Sequence, residues 1–173
     1  MQQVQDGVAQ AAKAEADAYR GEEDRPLGGY VAVMAVFAAL VSGAAGLAFA
    51  TGRRLPPGVG PWDVLLLAAG THKLSRTVSK NAVTSPLRAP FTRYKGVAGP
   101  AEVMEEVRAT SGLRHSIGEL LTCPFCLDVW IVSAFGLGLV VAPRLTRLVA
   151  GSFSALAGAD FLQLAYARAQ QEA

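Results

Sequence analysis

The stretch ELLTCPFCLDVW, Glu119–Trp130, places two cysteines at the start of an apolar run. Cys123 and Cys126 are three residues apart, the spacing found in dithiol active sites and in half-sites for zinc. Because Pro124 suits the first turn of a helix, Thr122 or Cys123 is expected to cap one there. The N–H groups of a helix N-terminus favour a thiolate. The pair could therefore carry thiol chemistry.

Three interpretations of the pair stay open. The tetrad Cys-Pro-Phe-Cys resembles the active-site sequence of glutaredoxins, but that fold supplies a strand and a sheet that are not predicted here. Thiol exchange by Cys123 and Cys126 would have to be transient on a cytoplasmic membrane face. Zinc would need His72 or His115, at a spacing that is not typical of zinc sites, so no metal and no cofactor are predicted. Packing of two small side chains at a helix end is favoured.

Charged residues within apolar segments form a second candidate group. A charge at membrane depth is costly unless it is paired. From the helix rise, Arg76 and Asp160 lie about 21 Å and about 18 Å from the same membrane face. Asp128 falls near that level, so we hypothesise a buried cluster in which Asp160 and Asp128 hold Arg76, with His72 and Gln163 alongside. The cluster either stabilises the bundle or conducts protons or ions; the sequence has no evident internal repeat, which favours the structural role.

A basic patch on the central loop forms a third candidate group. Arg88, Arg93 and Lys95 surround Phe91 and Tyr94. Contact with anionic lipid head groups is one interpretation, and an exposed patch that merely follows the positive-inside rule is the other.

The composition indicates which elements must position these residues. Of 173 residues, 51% are hydrophobic and 8% aromatic, mean hydropathy is +0.30, and charges lie between long uncharged stretches. This pattern is typical of a polytopic membrane protein whose partner is the lipid bilayer. A net charge of +2 gives no indication of nucleic-acid binding. The absence of a phosphate loop, a serine nucleophile motif and H-E-x-x-H favours a protein that is not an enzyme.

The apolar segments predict an all-α integral membrane bundle of three or four transmembrane helices. Three spans are predicted at Leu27–Ala50, at Pro124–Ala142 and at about 148–166. The segment Pro61–Val83 is either a fourth, polar-lined span or an amphipathic helix in the interface. Four spans are preferred because Trp62 suits a membrane interface. Residues 1–26 are predicted to be a solvated, partly disordered arm before a membrane domain at 27–173.

The positive-inside rule predicts the orientation. With three or four spans, the central loop 81–118 and the C-terminus face the cytoplasm. Within that loop, Pro100–Gly112 is predicted to form a short helix that carries solvated Glu105 and Glu106. Small residues at every fourth position of the first span favour close contact with a second copy or a membrane protein partner.

Four blocks, THKLSR, VTSPLRAPF, ELLTCPFCLDVW and DFLQLAY, occur in that order between about Trp62 and Gln170. Together they resemble a family of small bacterial membrane proteins catalogued as domain of unknown function 1360. The resemblance implies an integral membrane protein without an established activity and contributes no catalytic residues. We therefore expect a structural or accessory component that acts through helix–helix association. The alternatives are a thiol-redox protein and a small ion or proton transporter.

Overall fold

A computed structural model describes residues 2–20, 25–56 and 58–172. The described chain is mostly helical. Its elements, in order, are α1 (Gln2–Arg20), α2 (Leu27–Ala50), α3 (Pro61–Lys80), a 3₁₀ turn (Ala82–Thr84), α4 (Ser85–Arg88), β1 (Thr92–Gly99), β2 (Glu102–Val107), α5 (Gly112–Thr122), α6 (Pro124–Val141) and α7 (Pro143–Glu172).

Three of these helices are long and apolar enough to cross a membrane, namely α2, α6 and α7. Their most apolar windows are only 6%, 17% and 11% buried within the protein, respectively. Large side chains such as Phe49 and Phe125 are more than four-fifths exposed. The apolar surface of these helices therefore faces outward instead of filling a core.

The polar helix α3 lies against α6 and α7. The small core consists of Leu67 from α3, Phe135 and Leu139 from α6, and Ala150 from α7. Helices α3 and α7 run in the same direction, since Asp63 pairs with Arg147 near their starts and Lys73 pairs with Asp160 farther along. Gly70 allows the two backbones to approach closely: a Cβ at this position would lie 2.8 Å from the carbonyl oxygen of Ala150.

Helix α2 contacts α5 and α6. The Tyr30 hydroxyl donates to Glu119 Oε2 over 2.6 Å, and Phe37 meets Trp130 edge to face with ring centroids 5.0 Å apart. Gly29 lies close to Ser116 and Gly112, which leaves no room for a Cβ. These contacts pack the N-terminal half of α2 against α5 and α6.

The prediction of an all-α fold is confirmed only in part: the described chain is mostly helical, but β1 and β2 form a two-stranded antiparallel sheet. The segment after Pro100 is strand β2 and not a helix. Pro100 and Ala101 form the turn, where Ala101 has a φ of 59°. Proline suits a turn as well as a first helical position, and the ladder with β1 satisfies the backbone of β2.

Two further predictions concern helices. The arm at 1–26, predicted to be solvated and partly disordered, contains the helix α1, most of whose described residues are exposed; Met1 and residues 21–24 lie outside the described residues. Helix α3 forms across most of Pro61–Val83 but is not among the three helices that are apolar enough to span a membrane on their own.

Candidate functional site

A cavity of about 680 Å³ lies between α3, α7 and the start of β2. Four residues of the predicted cluster line it: His72, Arg76, Asp160 and Gln163. Asp128, the fifth member, does not line this cavity. The sequence therefore identified half of the eight polar residues that line the cavity, although it placed Asp128 with them incorrectly.

The predicted pairing of Arg76 with Asp160 and Asp128 is wrong. Arg76 binds Glu102 of the hairpin, with Nε donating to Oε1 over 3.0 Å and Nη2 donating to Oε2 over 2.6 Å. Asp160 instead accepts a hydrogen bond from Lys73, whose side chain is 18% exposed. Depth along a helix determines the level of a charge but not the direction in which it points. Two separate ion pairs, Lys73–Asp160 and Arg76–Glu102, are thus present instead of the one predicted cluster.

Asp128 lies on α6 with a buried Oδ1 that has no hydrogen-bond partner among the described residues. Thr71 Oγ1 and Ser79 Oγ of α3 are likewise buried without a partner there. Their neighbour Ser75 is satisfied by the carbonyl oxygen of His72 over 3.0 Å. Asp128 is therefore not the predicted partner of Arg76, which donates to Glu102 instead.

The two cysteines are free thiols at the start of α6. Cys123 is the N-cap, as predicted, and its Sγ accepts from the backbone N–H of Cys126 over 3.3 Å. Cys126 is exposed and lines an apolar groove of about 320 Å³ between α2, α5 and α6. No group of three potential metal ligands occurs in the described chain. This capping bond fits the packing interpretation of Cys123 at the helix N-terminus, and the thiol-exchange interpretation stays a prediction.

Glu119 connects α5 to the start of α2. Its carboxylate accepts from Tyr30, lies 3.2 Å from Nε2 of His115, and lies 3.5 Å from Nη1 of Arg25. Nδ1 of His115 is 2.7 Å from the carbonyl oxygen of Ala109. Both ring nitrogens of His115 therefore already have partners within the protein.

Arg88, assigned from the sequence to a lipid-facing patch, is completely buried, so that prediction is wrong. Its Nε and Nη2 donate to the two carboxylate oxygens of Glu105 over 2.7 and 3.1 Å. Its other hydrogen bonds go to the carbonyl oxygens of Val78 and Asn81 and to the hydroxyls of Thr84 and Ser85. Arg88 thus binds the end of α3, the short helix α4 and the hairpin together.

Glu105 is the acidic half of this network and not a solvated helical residue. Burial by itself would raise its pKa, but hydrogen bonds from Arg88, Ser85 and Thr92, together with the charge of Arg88, lower the pKa below its ordinary value of 4.5. Glu105 is therefore a carboxylate at neutral pH. The buried charges neutralise each other and form charge-assisted hydrogen bonds.

The other two members of the basic patch lie on β1 and are exposed. Lys95 pairs with Glu106 across the hairpin over 3.0 Å, and Arg93 lies opposite Glu106 in the strand register. Arg93 and Lys95 do not share a surface with Arg88, because Arg88 faces the interior.

Residues 66–166 match the family model described as Protein of unknown function (DUF1360). The chain belongs to this family. All of the cavity-lining residues from α3, the Arg88–Glu105 network, both cysteines and Asp160 fall within the matched DUF1360 region. The chain is also similar to Sporulation protein YjcA of Bacillus subtilis (strain 168), with 31% identity over 84 residues that cover 47% of this chain and 70% of that relative. No solved structure matches the chain.

Sequence reasoning missed Lys73, Glu102 and Glu105 as partners. Lys73 and Arg76 stand at i and i+3, a spacing that places both on one helix face and could have identified Lys73. The two glutamates could not be found in this way, because their positions depend on a hairpin that was predicted to be a helix.

Proposed function

We propose that the protein is a multi-pass component of a bacterial cytoplasmic membrane in which α2, α3, α6 and α7 all cross the bilayer. One observation carries this proposal: no more than 17% of the apolar window of α2, α6 or α7 is buried within the protein. Exposed apolar surface of this extent requires lipid or a protein partner. The polar helix α3, which could not face lipid alone, directs its buried side chains at α6 and α7.

The geometry of α3 supports a crossing. Its 20 residues correspond to a length of about 30 Å, the thickness of a hydrocarbon core. Its buried polar residues, such as Ser75 and Ser79, face protein, which is where polar groups are tolerated at membrane depth. Lys73 and Arg76 are both paired with carboxylates. Helix α3 thus has the properties of an interior span.

Charge distribution supports a cytoplasmic location for the hairpin end. With four spans, the N-terminal arm, the hairpin, α5 and the C-terminus share one side of the membrane. The basic residues at the opposite side are Arg53, Arg54, Arg144 and Arg147, out of 16 Lys and Arg in the sequence. This excess of positive charge favours the hairpin side as cytoplasmic.

We propose an accessory, non-enzymatic role in which the outer face of α2 associates with a second copy of the chain. Ala38, Ser42, Gly46 and Ala50 recur at every fourth position, and all of them are exposed. A Cβ added at Gly43 or Gly46 would meet no atom within 4 Å. Small residues of this kind allow helices to approach closely in lipid, where packing drives association.

Cysteine crosslinking in native membranes tests this association. In a Cys123→Ser/Cys126→Ser background, Ser42→Cys should form an intermolecular disulfide on mild oxidation. The matched control, Leu40→Cys, lies on the opposite face of α2 and should stay monomeric. Equal crosslinking of the two variants, or none of either, would contradict association through this face.

The name of the B. subtilis relative supports a second proposal, that the protein contributes to sporulation in a host that forms spores. Deletion of the gene should then lower the yield of heat-resistant spores without slowing vegetative growth. An unchanged spore yield would reject this role while leaving the membrane placement intact.

A further inference from the structure

We infer that the cavity between α3 and α7 is a binding site for the head group of a zwitterionic phospholipid. The cavity volume of about 680 Å³ lies within the range of about 300–1,000 Å³ found for small-molecule sites. This inference rests on the proposed membrane location, because lipid must be able to reach the cavity.

The charges in the cavity favour a ligand that carries both signs. Lys73 and Arg76 contribute two cations, and Asp160 and Glu102 contribute two carboxylates. The balance disfavours a purely anionic ligand, which the carboxylates would repel. A phosphate beside Lys73 and Arg76, with an ammonium beside Asp160 and Glu102, would satisfy both pairs of charges.

The side chains in the two ion pairs keep hydrogen-bond donors that can bind such a ligand. Arg76 uses Nε and Nη2 on Glu102, and among the described residues Nη1 has no hydrogen-bond partner. Lys73 donates to Asp160 and has further donors on the same ammonium group. The Arg76 and Asp160 side chains are 42% and 50% exposed, so both are accessible.

The second wall of the cavity distinguishes a lipid from a small polar solute. Helix α7 contributes Ala157, Phe161, Leu164 and Ala167 to this wall. Phe161 and Leu164 are 65% and 52% exposed, so the apolar wall continues onto the outer surface of α7. An acyl chain could lie along that surface while the head group occupies the charged side.

Lipid binding to the full-length protein in detergent micelles tests this inference. The probes are short-chain phosphatidylethanolamine, short-chain phosphatidylglycerol and free phosphoethanolamine, with dissociation constants measured by titration calorimetry. Phosphatidylethanolamine should bind at least roughly tenfold more tightly than either of the other two. Against phosphatidylglycerol this follows from one additional charge-assisted hydrogen bond, and against phosphoethanolamine from the contact of the acyl chain with the apolar surface of α7.

Variants test the proposed contacts. Lys73→Gln and Asp160→Asn should each weaken binding of phosphatidylethanolamine by roughly tenfold. The matched controls Arg93→Gln and Glu106→Gln remove one charge of each sign from the exposed hairpin surface and should leave binding unchanged. Ala167→Trp fills the cavity without altering an ion pair, so it should abolish binding even if the charge variants fold poorly.

Three results would overturn the inference. Equal binding of phosphatidylglycerol would show that the site does not select a zwitterion, and equal binding of free phosphoethanolamine would show that it takes a soluble ligand. Binding that Ala167→Trp leaves intact would place the lipid elsewhere. None of these results would affect the proposed membrane insertion, which extraction of native membranes with carbonate checks separately.

Discussion

At the residue scale, Arg88 joins three elements through one guanidinium group. Its side chain is 0% exposed and that of its partner Glu105 is 7% exposed. Because both charges have been removed from water, the pair is stable only as long as each charge keeps its counter-charge and its hydrogen bonds.

Removal of one partner should therefore be costly. Arg88→Met is expected to lower the free energy of unfolding in detergent by about 3–5 kcal/mol, since Glu105 would remain as a buried, unpaired charge. The double variant Arg88→Met/Glu105→Met should be more stable than the sum of the single losses predicts. Denaturant titrations measure these values.

The exposed pair Lys95–Glu106 on the same hairpin provides the control. Lys95→Met and Glu106→Gln should each change the free energy of unfolding by less than about 0.5 kcal/mol, as is usual for surface pairs. If Arg88→Met were as mild as Lys95→Met, the buried network would not hold the hairpin in place.

The same network predicts a dependence on pH. The pKa of Glu105 is lower in the folded protein than its ordinary value of 4.5, so the ionised carboxylate stabilises the fold at any pH above that value. This contribution should disappear as pH falls from 4.5 through the lower folded pKa. The stability difference between the wild type and Arg88→Met/Glu105→Met, followed by thermal denaturation, should therefore change across that window and stay constant between pH 6 and 8.

At the element scale, α3 is fixed to α7 by an ion pair and by close backbone contact. Asp160→Ala and Lys73→Leu should be coupled in a double-mutant cycle, with an interaction free energy on the order of 1 kcal/mol, modest because the Asp160 side chain is half exposed. Asp160→Ala and Arg76→Leu should be additive within about 0.5 kcal/mol, because Arg76 binds Glu102 instead. Coupling of Asp160 to Arg76 alone would restore the pairing predicted from the sequence.

Close contact between α3 and α7 requires glycine at position 70. Gly70→Ala would place a Cβ 2.8 Å from the backbone oxygen of Ala150, which cannot rotate away, so a loss of about 1–3 kcal/mol is expected. Gly43→Ala on α2 meets no atom and should be neutral or stabilising by up to about 1 kcal/mol. Thermal denaturation in one detergent compares the two; equal effects would contradict tight packing at Gly70.

These elements also show how far the sequence could predict the structure. Hydropathy located α2, α6 and α7 because a long apolar run has few alternatives to a helix. Pro100 was misleading because proline begins helices and turns alike. Arg88 was assigned to the surface because a charge in a Pro-rich loop is usually exposed, and only the tertiary position of Glu105 makes its burial stable.

At the scale of the whole molecule, the apolar surface of α2, α6 and α7 faces outward, and the polar helix α3 packs against α6 and α7. Both cations of α3 are paired within the protein: Lys73 binds Asp160 of α7, and Arg76 binds Glu102 of the hairpin. Together these cations, their carboxylate partners and apolar residues of α7 line the cavity at the hairpin end of the molecule. The position of each charged residue along its helix axis could be predicted from the sequence. Its ion-pair partner could not, because the partner depends on how the helices and the hairpin are arranged in three dimensions.

The central claim is that α3 crosses the membrane, and cysteine accessibility in intact cells tests it most directly. In the Cys123→Ser/Cys126→Ser background, Gly58→Cys reports on the α2–α3 loop and Val97→Cys on the exposed hairpin. A fourth crossing predicts that a membrane-impermeant maleimide labels Gly58→Cys in intact cells and labels Val97→Cys only after permeabilisation. Protection of both positions in intact cells, or labelling of both, would place them on the same side and contradict the crossing.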